Sequence, residues 1–288
     1  APDKPAGRGQ ELSQSDVKKF ALQHHLPLLQ PTSLKDESFL QELKQLNADL
    51  FVVVAFRMLP EAVWNMPKHG TINLHASLLP NYRGAAPINW AVINGEKETG
   101  VSTFFLKHEI DTGDIIYQQK VEIGLNDTAG IVHDKLMSVG AQLLVTTVND
   151  IKNNTASRIP QQQIIQGEPK HAPKIFKEDC EINWNTSAQG AHNFIRGLSP
   201  YPTAWCNVVD DKGNNTSAKI FLTQVSERNL LEGEIATDNK TFLSVGCKNS
   251  AIDILEIQLA GKKRLAIKDF LLGTKMIGQW RFLSKIKD

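Results

Sequence analysis

The apolar run LFVVVA at residues 50–55 places the strongest limit on the fold of this 288-residue chain. Its residues are apolar on both faces of the strand, which is typical of a central strand in a parallel sheet covered by helices. Segments of helical periodicity precede the run. One follows a cap at Ser13 or Ser15, and another begins near Asp36. The first half of the chain is therefore predicted to be an α/β sheet with crossover helices.

The same alternation continues to residue 151, and then the pattern changes. Strands are predicted at residues 71–75, 99–107 and 115–121, a helix begins near Pro87, and a long helix spans residues 129–151. Residues 154–173 are polar and contain three prolines, which predicts a linker. Residues 174–288 consist of short strand-like runs separated by Gly, Asn and Asp turns, typical of a small β-barrel. We therefore expect domains at residues 1–153 and 174–288.

Composition narrows the functional classes. No apolar run approaches the roughly 18 residues of a membrane span. The three cysteines are far apart and lack CxxC spacing, which argues against disulfides or zinc and favours a cytoplasmic protein. The eight histidines show no metal-ligand spacing, so no metal is expected. Residues 262–288 carry eight basic and two acidic side chains. This end favours a polyanionic partner, although a solvated lysine-rich tail is the alternative.

Polar side chains with catalytic potential lie at the end of the strand predicted at residues 71–75. Asn73 and His75 are two residues apart, so they share one face about 7 Å apart. Open α/β sheets bind ligands at this carboxyl end. Both side chains could donate to an oxyanion, and Asp111 or Asp114 could hold His75 in its charged form. Alternatively, Asn73 caps a loop, His75 is a core residue and the aspartates form a turn.

Longer motifs surround these residues. The sequence NLHASLLPNYRGAAPI at residues 73–88, with TGV at 99–101 and DTGD at 111–114, resembles the signature of the 10-formyltetrahydrofolate-dependent formyltransferases. The sequences PDKPAGRG at 2–9, IRGLSPYP at 195–202 and DFLLG at 269–273 extend the resemblance over nearly the whole chain. The match is most similar to the branch of the family that acts on methionyl-tRNA.

The resemblance implies a fold and a reaction. The first domain would be a Rossmann-like, open and mostly parallel sheet, and the second an OB-like β-barrel that binds tRNA. Asn73, His75 and Asp111 would occupy the catalytic positions. The methionyl amine of initiator methionyl-tRNA would take the formyl group from the co-substrate 10-formyltetrahydrofolate, for use in translation initiation. Asn73 and His75 would stabilise the oxyanion while Asp111 helps to move protons.

The resemblance also implies binding residues. The folate contacts would be Phe56, Arg57, Met58, Leu59, Ser77, Leu78, Leu79 and Pro80. The tRNA contacts would be Lys4 and Arg8 of an N-terminal loop that enters the acceptor end, and Lys262, Lys263, Arg264 and Lys268. Members of the family begin with a strand before that loop, so we expect residues 1–153 to be an incomplete domain whose first strand precedes Ala1.

Further expectations concern assembly and rival functions. We expect a monomer that does not associate with membranes and whose partners are initiator methionyl-tRNA and the folate. A sugar-nucleotide N-formyltransferase is the alternative within the enzyme class. A catalytically idle RNA-binding module is the alternative from another class.

Overall fold

The computed structural model describes residues 2–6, 11–54, 58–248, 250–276 and 280–285. The chain forms two compact units, residues 1–73 and 74–288. Within the described ranges, no helix is both long and apolar enough to cross a membrane.

The first unit opens with β1 (Lys4–Ala6), which pairs antiparallel with β2 (Glu11–Ser13). Helix α1 (Asp16–Gln23) begins after Ser15, whose hydroxyl accepts a hydrogen bond from the N–H of Lys18. Helix α2 (Glu37–Gln45) begins after Asp36, whose carboxylate accepts from the N–H of Phe39. These caps satisfy backbone N–H groups that have no partner within a helix. Both predicted helix starts are confirmed.

The remainder of the first unit contains β3 (Phe51–Val54), α3 (Glu61–Trp64) and the first part of β4 (Thr71–His75). Val53 is buried, but Val52 and Val54 are 43% and 54% exposed. The expectation that this strand is covered on both faces is therefore wrong for the described part of the chain. The physical reason is that apolar composition identifies a strand without showing what covers its two faces.

The second unit begins within β4 and continues through β5 (Arg83–Gly84), α4 (Pro87–Ile93), β6 (Glu98–Phe105), β7 (Ile115–Glu122) and α5 (Ala129–Lys152). Strands β6 and β7 form an antiparallel hairpin. Apolar side chains of α4, β6 and α5 form one buried cluster that includes Val92, Val101, Val132 and Leu136. The loop of the hairpin carries Asp111 and Asp114.

The segment predicted as a linker makes specific backbone contacts. Ile159 exchanges two hydrogen bonds of 2.9 Å with Ile115, where β7 begins. A 3-10 turn follows at Gln161–Gln163, and β8 (His171–Ala172) pairs parallel with β5. We call residues 159–172 the strap. The strap is hydrogen-bonded at Ile159 to Ile115, which follows the hairpin loop, and through β8 to β5, which follows β4.

The remainder of the second unit is a barrel of antiparallel strands in the order β11-β12-β13-β10-β9-β15, with β14 also paired to β13. Their bounds are β9 (Ala204–Val209), β10 (Asn215–Ser226), β11 (Ile235–Thr237), β12 (Leu243–Cys247), β13 (Ser250–Leu259), β14 (Leu265–Ala266) and β15 (Arg281–Leu283). A bridge between Glu234 and Arg281 brings the two end strands together. Helix α6 (Ala188–Leu198) packs into the barrel with Ile195 and Leu198 fully buried, and α7 (Ile267–Gly273) packs on β13 and β14. Sequence patterning indicated the strands β9, β10, β12 and β13 but not β11, β14, β15 or α6.

His192 on α6 links the barrel to the loop that precedes α5. Its Nδ1 lies 3.0 Å from the hydroxyl of Thr223, and its Nε2 lies 3.3 Å from the carbonyl oxygen of Leu125. Burial lowers the pKa of His192 below its ordinary value of 6.5. As pH falls through 6.5, the unfolded chain therefore takes up a proton before the folded chain does. The stability contribution is full above pH 6.5 and is lost as pH falls toward the folded pKa.

We accordingly expect thermal stability to fall between pH 7.5 and 5.5, and His192→Gln to reduce that loss. Thermal unfolding of both proteins across this range measures the difference. An identical pH dependence for His192→Gln and wild type would contradict the expectation.

Candidate active site

His75 lies at the end of β4 with only 7% of its surface exposed. Its Nε2 donates to the carbonyl oxygen of Tyr82 at 2.8 Å. Its Nδ1 lies 3.8 Å from Oδ2 of Asp111, which is an ion-pair distance rather than a hydrogen bond. Both ring nitrogens thus face oxygen acceptors.

Asp111 is held by its backbone and by its carboxylate. Its φ of +54° lies in the left-handed region, which Asp tolerates better than most residues. The N–H of Gly84 donates to Oδ2 at 3.0 Å, on the oxygen that faces His75. Asp114 instead pairs with Lys107 at 2.7 Å on the protein surface. Of the two aspartates, only Asp111 is in position to act on His75.

Asn73 is the last residue of the first unit and lies in the middle of β4. It is 4% exposed, and its side-chain Oδ1 has no hydrogen-bond partner among the described residues. Leaving a buried polar group unpaired costs roughly 1–3 kcal/mol. Since side chains alternate along an unbroken strand, Asn73 and His75 share one face of β4. An unpartnered amide on that face is available to a ligand.

The loop after β4 is held by hydrogen bonds to β6 and β7. The hydroxyl of Ser102 donates to the carbonyl oxygen of Ser77 and accepts from the N–H of Leu79. Gln118 donates to the carbonyl oxygen of Leu79 at 2.8 Å. Ser77, Leu79 and Pro80 are buried, and the Leu79–Pro80 bond is cis. The hydrogen bonds to Ser102 and Gln118 thus fix the backbone of the loop that follows His75.

The predicted folate contacts fall in several environments. Phe56 and Arg57 lie outside the described residues. Met58 is 75% exposed and Leu59 is partly buried. Leu78 packs against Gly100 of β6. With Ser77, Leu79 and Pro80 in the interior, Met58 has the most accessible side chain of the described members of this set. Folate contact stays a prediction for all of them.

The predicted tRNA contacts are likewise separate. Arg8 and the side chain of Lys4 lie outside the described residues. Lys262, Lys263 and Lys268 are exposed on the barrel. Arg264 is already engaged, because its guanidinium pairs with Glu256 and lies 4.1 Å above the ring of Phe221. The three lysines are therefore better placed than Arg264 to meet a phosphate.

Two backbone groups of the site were missed by sequence reasoning. The carbonyl oxygen of Tyr82 and the N–H of Gly84 orient His75 and Asp111, and both residues have positive φ, +60° and +125°. The Tyr82 hydroxyl donates to Glu96 at 2.5 Å, and Glu96 also pairs with Lys170 of the strap. Burial, together with that hydrogen bond, raises the pKa of Tyr82. A neutral, anchored Tyr82 fixes the carbonyl that His75 meets.

Gly84→Ala is expected to damage both stability and the site. A Cβ on Gly84 would lie 2.4 Å from the carbonyl oxygen of Ala172, and a φ of +125° strains any other residue. We expect a loss of about 2–4 kcal/mol in unfolding free energy. Chemical denaturation measures this. Gly273→Ala is the control, because nothing lies within 4 Å of a Cβ there. Equal stabilities of the two variants would contradict the packing described for β5 and β8.

Comparison with known proteins identifies the class to which this fold and site belong. The family model described as "Formyl transferase" matches residues 1–148, and that described as "Formyl transferase, C-terminal domain" matches residues 174–275. The chain therefore belongs to the formyl transferase family. Its fold is a Rossmann-like domain with a parallel sheet followed by a nearly closed antiparallel barrel, which confirms the predicted fold class.

Curated relatives are more specific. The methionyl-tRNA formyltransferase of Bacteroides fragilis is 54% identical over 275 residues, which cover 94% of this chain and 85% of the relative. The protein of the same name from Bacteroides thetaiotaomicron is 52% identical over 278 residues, covering 96% of this chain and 86% of the relative. A third, from Flavobacterium johnsoniae, is 49% identical and covers 95% and 86%.

Solved structures show the same fold at low identity. The N-formyltransferase from Helicobacter canadensis, in complex with folinic acid and dTDP-3-aminofucose, has a TM-score of 0.63 at 20% identity, covering 90% of this chain and 86% of that one. HypX from Aquifex aeolicus, in complex with tetrahydrofolic acid, has a TM-score of 0.60 at 18% identity, covering 81% of this chain and 40% of that one.

Proposed function

We propose that this protein transfers the formyl group of 10-formyltetrahydrofolate to the amino group of methionine on initiator methionyl-tRNA. The observation that carries the proposal is the identity of about half of all residues with methionyl-tRNA formyltransferases over most of both chains. The His75 and Asp111 pair supports it, because it is the kind of polar, buried site that acyl transfer requires.

The roles of the residues follow from their chemistry. The methionyl amine attacks the formyl carbon, and negative charge develops on the formyl oxygen. The bond between that carbon and N10 of the folate then breaks, N10 takes up the proton that the amine has lost, and tetrahydrofolate leaves. The amide of Asn73 would donate a hydrogen bond to the formyl oxygen, and the positive charge of His75 as imidazolium would stabilise it. Asp111 would balance the charge of His75 and accept the proton that the attacking amine must lose. The buried Oδ1 of Asn73 has no partner among the described residues, so no hydrogen bond to this oxygen from them holds the amide away from a substrate.

The proposed division of labour places catalysis in residues 1–153 and tRNA binding in residues 174–288, joined by residues 154–173. We also propose that the protein acts as a monomer in the cytoplasm. The exposed lysines at the end of the barrel fit a tRNA partner, because phosphate contacts are supplied mainly by Lys and Arg.

A direct comparison of acceptors tests the proposal. Purified protein is given labelled 10-formyltetrahydrofolate with either methionyl-tRNA or a dTDP-linked amino sugar. We expect kcat/KM to be at least about a thousandfold higher for methionyl-tRNA, since a site built for one acceptor discriminates strongly against another. The reverse preference would assign the chain to the sugar-nucleotide enzymes. Binding of tRNA without any formyl transfer would favour the alternative that the chain is a catalytically idle RNA-binding module.

Salt dependence tests the part assigned to the barrel. Affinity for methionyl-tRNA should fall steeply between 50 and 200 mM salt, because phosphate contacts release condensed counterions. The double substitution Lys262→Gln and Lys263→Gln should reduce the slope of log Kd against log salt by about one to two units. Filter binding or fluorescence titration measures this. Substitution of the exposed Lys19 on α1 is the control. A slope unchanged from wild type would remove these lysines from the interface.

A further inference from the structure

Gln161 on the strap is a fully buried polar residue that none of the motifs includes. It is 0% exposed, although its immediate neighbours Gln162 and Gln163 in the same turn are exposed. Polar side chains of this size are rarely buried without a hydrogen-bonding function. Its contacts account for the whole amide.

The amide nitrogen of Gln161 clamps the loop that carries Asp111. Nε2 donates to the carbonyl oxygen of Asp111 at 2.8 Å and to that of Gly113 at 2.8 Å. These two carbonyls flank Thr112, so one side chain holds both ends of the turn. The turn contains the strained φ of +54° at Asp111, and such a conformation persists only where its surroundings enforce it.

The amide oxygen of Gln161 is fixed in turn by Arg83. The guanidinium donates to Oε1 from Nε at 3.1 Å and from Nη2 at 2.5 Å. Arg83 directly precedes Gly84, whose N–H donates to the Asp111 carboxylate. These contacts hold Asp111 at two points. Its backbone carbonyl binds Gln161, which is fixed by Arg83, and its carboxylate binds the N–H of Gly84, the residue after Arg83.

We infer that Gln161 is a positioning residue for formyl transfer, which sets the direction of the Asp111 carboxylate toward His75 through the backbone of the 111–113 turn. The inference rests on the proposed function of Asp111. Gln161 does not touch the reacting groups. Its removal should lower the rate of chemistry while leaving substrate binding intact, because small misplacements of a catalytic group are costly.

Two variants and a matched control test this role in the full chain. Gln161→Glu keeps the acceptor for Arg83 but removes the N–H donor to the two carbonyls. Gln161→Met has a similar shape and removes both functions. Gln162→Glu makes the same chemical change at the adjacent exposed position. We expect both Gln161 variants to lose about 10- to 100-fold in kcat with KM for folate and for methionyl-tRNA within about threefold of wild type.

Hydrogen exchange provides a readout that does not depend on activity. Amide exchange in residues 106–114, followed by mass spectrometry, should be at least about tenfold faster in Gln161→Glu than in Gln162→Glu at equal global stability. If Gln161→Met fails to fold, Gln161→Glu still decides. Gln161 variants with wild-type kcat, or with only KM raised, would overturn the inference. A wild-type protein that transfers no formyl group would contradict the proposed function instead, and the exchange measurement would then decide for Gln161.

Discussion

Asp111→Asn is expected to lower the single-turnover rate of formyl transfer by about a hundredfold or more. Asparagine has the same shape and can still accept the N–H of Gly84, but it removes the negative charge that lies 3.8 Å from Nδ1 of His75. The charged form of His75 then loses its partner, and the attacking amine loses its proton acceptor. To measure the rate, the enzyme–folate complex is mixed with methionyl-tRNA and the reaction is stopped by rapid quenching.

Asp114→Asn is the matched control for this experiment. Asp114 lies in the same loop, and its carboxylate pairs with Lys107 at the surface. Exposed ion pairs contribute about 0–1 kcal/mol, so this variant should keep its rate within about threefold of wild type. Equal rates for Asp111→Asn and wild type, or an equal loss in both variants, would remove Asp111 from the reaction.

Asn73→Leu is expected to separate activity from stability. Loss of one oxyanion donor costs about 2.7–4 kcal/mol of activation free energy, a decrease of two to three orders of magnitude in rate. The stability of the folded protein should not fall by a comparable amount, because the buried Oδ1 makes no hydrogen bond that the substitution would break. Single-turnover kinetics and the thermal midpoint, measured on the same sample, give both quantities.

Thr99→Val provides the comparison. Thr99 is 3% exposed, and its hydroxyl also lacks a partner among the described residues. Valine removes that hydroxyl at nearly constant volume. We expect normal activity and a thermal midpoint at or above that of wild type. A slow Thr99→Val, or an Asn73→Leu that is fully active, would contradict the special role given to Asn73.

Local patterning accounts for much of the fold. The caps at Ser15 and Asp36 and the helix beginning at Pro87 were predictable because each depends on contacts within one turn of chain. The longer barrel strands β9, β10, β12 and β13 were predictable from alternation and turn residues, whereas β11, β14 and β15 span only two or three residues each and give no such pattern. Helix α6 was missed although its local signal is present, since Ser187 caps it and its buried apolar residues Ala188, Ala191, Ile195 and Leu198 recur at helical spacing. The exposure of Val52 and Val54 depends on tertiary packing, which no local pattern reports.

Some residues of the candidate site could be predicted from the sequence, and others could not. Strand alternation predicted that Asn73 and His75 share a face, and the family motifs pointed to Asp111 rather than Asp114; their catalytic roles stay predictions. Tyr82 and Gly84 act through backbone groups, and a backbone contact does not require a particular side chain. The one exception is position 84, where the φ of +125° favours glycine. Gln161 reaches Asp111 across 50 positions of sequence, from a stretch whose composition is typical of a linker. Long-range hydrogen bonds of this kind become visible only in three dimensions.

The fate of the formyl group in a single turnover tests the central proposal most directly. Enzyme in excess is mixed with formyl-labelled 10-formyltetrahydrofolate and methionyl-tRNA, and the quenched tRNA is hydrolysed to release its amino acid. We expect one labelled N-formylmethionine for each folate consumed, and no turnover when the methionyl amine is acetylated. Label recovered as free formate, or folate consumed at the same rate with the acetylated acceptor, would contradict it.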